Sequence, residues 1–275
     1  MFGMKKRFSE LNPFFYWISV QKETLKRHLS DVLSKDVFAK EKSEDTLPQI
    51  IASFQTNMIK RAPGVDLTTQ VNKAENIRLA SANIHGMLIR PGETFSFWHT
   101  VGNTTRRKGY KEGRVLTDKG LVTGLGGGLC NLSNSLNRIV LHSPLTVTEF
   151  RKHSDALAPD SGNRIPLAAG TSVSYNYVDY RFKNETDQTF QLLTWCEGDE
   201  FFCELRAEKP IPFTYELVEE DRHFRKEGEK YYHYCKLYRV TRNQEGATVS
   251  KELIWDNRSK VMYDPTLIPA DLIRE

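Results

Sequence analysis

A chain of 275 residues with 39% hydrophobic content is long enough to bury a substantial core, as one large domain or two small ones, which excludes a disordered protein. Its 39 basic and 35 acidic residues leave a formal charge of +4, too near balance to make nucleic acid a partner. Four cysteines are too few to staple a chain of this size, and no pair has the CxxC spacing of a structural zinc site; reduced thiols are expected, with no metal and no other cofactor.

The chain begins MFGMKKRFSELNPFFYWISV, a basic start interrupted by Ser9, Glu10, Asn12 and Pro13 where a secretory signal would be apolar. No apolar run is long enough to cross a bilayer, so a cytoplasmic location is expected. Phe14, Phe15, Tyr16 and Trp17 lie between Lys5, Lys6 and Arg7 on one side and Lys22, Lys26 and Arg27 on the other. That composition suits a peripheral membrane contact through the first helix, and the same aromatic residues would serve equally as core.

Residues Tyr16 to Leu33, Leu47 to Lys60 and Val71 to Leu88 are expected to be helices, with Arg61 to Thr69 a loop before the third. In the third, Ile77, Ala80, Ile84, Met87 and Leu88 recur at helical spacing. Arg90-Pro91-Gly92 ends it. Thr94 to Val101 reads as extended, with Phe95, Phe97 and Trp98 as core, and Val115 to Val122 as a short hairpin. A central helix follows over Leu132 to His142.

Beyond it the chain turns to strands. Leu145 to Phe150, Thr171 to Lys183, Phe190 to Trp195 and Phe201 to Leu205 are rich in β-branched and aromatic residues. Phe213 to Val218, Lys230 to Thr241, Ala247 to Trp255 and Lys260 to Tyr263 suggest two more hairpins. The turn Glu197-Gly198-Asp199-Glu200 lets Cys196 and Cys203 approach across a hairpin. The expected fold is α+β: N-terminal helices packed on a mostly antiparallel sheet, with the central helix opened by a glycine-rich loop. Three regions are expected: an N-terminal helical region (1–70), a core domain (71–209) and a C-terminal β-hairpin extension (210–275).

The most informative segment is Gly126-Gly127-Gly128-Leu129-Cys130-Asn131. Three glycines, a helix start and a thiol together make a candidate site, because a helix N-terminus favours the thiolate. Helical rotation places Cys130, Ser133, Asn134 and Asn137 on one side and Leu132, Leu136, Ile139 and Val140 on the other. The glycines equally permit tight helix-to-sheet packing. A nucleophilic cysteine needs a base, for which His153 is the candidate, and an orienting acid, for which Asp179 is available on a later strand. That element order is similar to the papain and transglutaminase arrangement. Asp179 would serve as well by bonding nearby backbone N–H groups, and His142 is placed to cap the central helix.

Four blocks, RPGETFSFWHTVG at Arg90 to Gly102, GGGLCNLSNSL at Gly126 to Leu136, HSPLTVTEFRKHS at His142 to Ser154 and DYRFKN at Asp179 to Asn184, resemble the VanW family in order and approximate spacing. The resemblance implies a cell-envelope context and glycopeptide resistance, with no assigned activity. Asn131 stands where the family typically has glutamine, which keeps a carboxamide; Gly170 stands where it has aspartate, which removes a carboxylate. Two functions follow. One is a cysteine-dependent hydrolase or acyl transferase on a cell-wall peptide or precursor, with Cys130 as nucleophile, His153 as base and Asp179 as orienter. The other is a non-catalytic ligand- or peptide-binding accessory module, in which Gly126, Gly127 and Gly128 offer N–H groups and Asn131, Ser133 and Asn134 line the site.

Overall fold

The computed structural model describes residues 12–61, 65–117, 120–152, 155–156, 170–175 and 178–274. In chain order these form α1 (Pro13–Leu33), β1 (Val37–Phe38), β2 (Gln49–Asn57), α2 (Leu67–Ile84), β3 (Met87–Ile89), β4 (Glu93–Ser96), α3 (Phe97–Val101), β5 (Glu112–Thr117) and β6 (Gly120–Leu125). They continue with α4 (Leu129–Leu141), β7 (Thr146–Glu149), β8 (Asp155–Ala156), β9 (Arg181–Lys183), β10 (Phe190–Glu197), β11 (Glu200–Ala207), β12 (Phe213–Glu227), β13 (Lys230–Asn243), β14 (Thr248–Val261) and β15 (Ile273–Arg274). The architecture is α+β, with mostly antiparallel sheets ordered β1-β4-β9-β7, β2-β11-β10-β3 and β15-β12-β13-β14-β8, plus the β5-β6 hairpin.

The main core lies where α2 and α4 cover the β2-β11-β10-β3 sheet. Ile77, Ala80 and Ile84 from α2 and Leu132, Leu136 and Ile139 from α4 meet Phe190, Leu192, Phe201 and Leu205 there. Asp66 starts α2 by accepting from the Thr68 and Thr69 N–H groups. The helix therefore begins inside the segment expected to be a loop. It stops at Ile84, because Gly86 takes φ +78° and approaches the Ser43 carbonyl too closely for any side chain. Met87 and Leu88, which continue the helical spacing in sequence, belong to β3 instead.

The helix expected over Leu47 to Lys60 is corrected to strand β2, which pairs antiparallel with β11 from Asn57↔Glu200 to Gln49↔Ala207. A spacing of four, as in Ile50, Phe54 and Met58, fits a helical and a strand period alike. The alternation of half-buried Ala52, Phe54 and Thr56 with exposed Ser53, Gln55 and Asn57 is that of a strand. Residues 1–70 thus contribute α1, two strands and the start of α2. Likewise only the first half of Thr94 to Val101 is extended; Ser96 then caps the short helix α3 by accepting from the His99 N–H at 3.2 Å. Phe95, Phe97 and Trp98 are buried in the core.

Thr194 faces Cys203 and Cys196 faces Phe201 across the β10-β11 hairpin, so the two cysteines are offset by two positions and both thiols are free. The expected pair of C-terminal hairpins is a meander of three long strands, β12, β13 and β14. It meets α4 through Leu141, Cys235 and Leu237. No helix among the described residues is long and apolar enough to cross a membrane.

Candidate functional site around helix α4

Helix α4 is buried on more than its leucine side. Ser133, Ser135 and Asn137 are as enclosed as Leu132 and Leu136, so the polar and apolar sides of the sequence do not separate solvent from core. Gly128 enters it at φ +98°, where a Cβ would lie 2.0 Å from Lys73 Cγ. A Cβ on Gly127 would lie 2.3 Å from the carbonyl carbon and oxygen of Gly113. Asn76, fully buried on α2, locks this seam: its Nδ2 donates to the carbonyls of Gly127 (2.9 Å) and Lys111 (3.0 Å), and its Oδ1 accepts from the Lys111 N–H at 2.8 Å. The Gly126 and Gly127 N–H groups donate to the carbonyls of Lys111 and Gly124. The glycine run thus holds α2, β5 and the start of α4 in backbone contact.

Cys130 occupies the first turn of α4, with its sulfur 3.8 Å from the Val173 carbonyl oxygen. Burial pushes its thiol above the ordinary cysteine range. Asn131 has a buried side-chain oxygen with no hydrogen-bond partner among the described residues, while Ser133 Oγ reaches the Thr171 carbonyl at 3.1 Å and Asn134 Oδ1 accepts from the Thr171 N–H at 2.6 Å. Thr171 in turn bridges to Lys152, and the Ser172 N–H donates to the Arg151 carbonyl at 2.6 Å. Ser133 and Asn134 therefore stitch the segment beginning at Thr171 to the helix that carries Cys130. His153 lies outside the described residues.

Asp179 is buried and fully engaged. Its Oδ2 accepts from Ser96 Oγ (2.5 Å) and Arg181 Nε (2.7 Å), and its Oδ1 from the Trp98 and Tyr180 N–H groups. Arg181 also makes a two-pronged ion pair with Asp31 of α1, at 2.8 and 2.9 Å. Burial works against the Asp31 carboxylate, but hydrogen bonds from Arg181 and His99 outweigh it and hold its pKa below the ordinary aspartate value. Asp179 thus anchors Arg181, and through it α1, to the sheet.

A cleft lies at the other end of α4. It encloses about 500 Å³ and is lined by Gln49, Ser53, Arg138, His142, Thr214 and Tyr215 among others, with no acidic side chain. The Arg138 guanidinium rests 4.2 Å above the Phe54 ring and has no carboxylate partner among the described residues. Burial lowers its pKa from the ordinary arginine value. The carbonyls at the end of α4 are met by other groups: His142 Nδ1 bonds the Arg138 carbonyl at 2.8 Å, and both the N–H and the hydroxyl of Ser143 donate to Val140. His142 caps the helix as its position suggested. Sequence reasoning missed Arg138, although it is the one Lys, Arg, Asp or Glu between Lys119 and Glu149.

The class of protein is thus an α+β chain in which one buried helix runs from a glycine seam to an arginine-bearing cleft. Residues 72–206 match the family model described as "VanW like protein". Over that stretch the chain resembles the VanW family. It is 28% identical over 227 residues to the "Vancomycin B-type resistance protein VanW" of Enterococcus faecalis, covering 82% of each chain. It is also 28% identical over 140 residues to the "Uncharacterized protein YoaR" of Bacillus subtilis, covering 51% of this chain and 45% of that one. No solved structure matches it.

Proposed function

We propose that this chain is an accessory protein of a glycopeptide-resistance system that binds a cell-wall peptide or precursor through a carboxylate held by Arg138. The carrying observation is an arginine stacked on Phe54 with no ion pair among the described residues, in a cleft whose described lining has no acidic side chain. Stacking pre-orients the guanidinium, whose planar fork matches a carboxylate. Calorimetric titration with a cell-wall pentapeptide and with its C-terminal amide tests this. The acid is expected to bind, the amide to bind about tenfold or more weakly, and Arg138→Gln to lose about tenfold to a hundredfold in affinity, the scale of one charge-assisted hydrogen bond. Equal affinity for acid and amide, or none for either, would sink the reading.

A second reading, Cys130 as nucleophile with His153 as base, is favoured by one observation: Lys152, next to His153 in the chain, bridges to the Thr171 that Ser133 and Asn134 hold against α4. Against it stand the raised thiol pKa and the engagement of Asp179 with Arg181. If Cys130→Ser abolishes turnover of a cell-wall peptide while leaving its affinity unchanged, this second reading replaces the first.

A further inference from the structure

The structure holds a second cluster of chemically active side chains that the reading above does not use. Glu219 of β12 and His233 and Cys235 of β13 bring a carboxylate oxygen, a ring nitrogen and a sulfur within 4.8 Å of one another. The strand register explains the convergence. Glu219 pairs with Leu237, which shares a face with Cys235 and His233, and a bulge between Glu220 and His223, with Asp221 at φ +53°, re-aims the strand beside them. His233 and Cys235 are buried, as are Asn257 and Ser259, which face them from β14.

We propose that Glu219, His233 and Cys235 form a binding site for a transition-metal dication of the Zn²⁺ class. A soft sulfur with an imidazole and one carboxylate selects that class over Mg²⁺ or Ca²⁺, which prefer oxygen alone. A tetrahedral site with a sulfur at about 2.3 Å and nitrogen and oxygen at about 2.0–2.1 Å needs donors about 3.3–3.6 Å apart, a closure of about 1 Å from the present spread. Asn257 is the positioning residue. Its amide nitrogen donates to the His233 carbonyl at 3.1 Å and lies 3.3 Å from His233 Nδ1, so it fixes the histidine beside Cys235. Three protein ligands leave one coordination position open. Arg222, 4.0 Å from the Glu219 carboxylate, is the nearest cation the metal must outcompete.

The test uses the full chain, depleted of metal and dialysed against Zn²⁺ or Co²⁺. One tightly held equivalent per chain is expected by elemental analysis, with a thiolate-to-cobalt charge-transfer band in the near ultraviolet. Cys235→Ser should remove the band, Cys130→Ser should keep it, and Asn257→Ala should weaken binding by about tenfold to a hundredfold. Should Cys235→Ser fail to fold by circular dichroism, His233→Gln is read in its place. Absence of stoichiometric metal in the unmodified chain overturns the proposal, as does a band that survives Cys235→Ser or His233→Gln or vanishes with Cys130→Ser.

Discussion

Replacing Gly127 with alanine adds one methyl group to the seam between α2, β5 and α4. That carbon would lie 2.3 Å from the carbonyl carbon and oxygen of Gly113, whereas comfortable contact requires about 3.5–4.0 Å. The two backbone segments must separate by more than 1 Å, roughly. Overpacking of this kind costs about 1–3 kcal/mol. Separation also pulls the Gly127 carbonyl from buried Asn76, whose other bonds go to Lys111, and an unsatisfied buried donor adds about 1–3 kcal/mol. The sum, about 2–6 kcal/mol, corresponds to a fall in Tm of about 4–24 °C for a chain of this length. Thermal unfolding followed by circular dichroism measures it directly. A variant melting within about 2 °C of the unmodified protein would refute the seam as described.

Three further predictions concern charge and the thiol. Because Asp31 has a lowered folded pKa, its contribution to stability is present above the ordinary aspartate value of about 3.9 and is lost as pH falls through the folded value; Asp31→Asn should therefore flatten the acid side of the urea-midpoint profile. Arg181→Met, which strands buried Asp31 and Asp179 without their cation, should cost about 3–5 kcal/mol in the same assay. With its thiol pushed up by burial, Cys130 should react with a disulfide reagent at neutral pH more slowly than glutathione, accelerating only above the ordinary thiol range. Fast labelling with an apparent pKa below that range would restore the nucleophile to first place.

The sequence carried the fold class and the local elements that announce themselves within a few residues. The β10-β11 hairpin was legible because aromatic and β-branched runs flank Gly198, and α4 because its leucines keep helical spacing after three glycines. Strand β2 was hidden, since the spacing of Ile50, Phe54 and Met58 fits both periods and only pairing with β11, about 150 residues away, decides between them. The same limit governs the sites. Cys130 drew notice by its glycines, yet their purpose lies in Gly113 and Asn76, remote in sequence. Spacing places His233 and Cys235 on one face of β13, but only the register of β12 brings Glu219 to them. Arg138 was visible as a lone cation, although its lack of an ion pair among the described residues is a property of three dimensions.

The account rests most heavily on Arg138 as the recognition group of the cleft at the end of α4. Side-chain resonances of ¹⁵N-arginine, followed while a cell-wall pentapeptide is added, test that claim at the atom concerned. The Arg138 Nε–H signal is expected to move and saturate with the calorimetric affinity, and to stay in place when the C-terminal amide is added instead. Peptide binding that leaves the Arg138 signal unmoved would contradict the account.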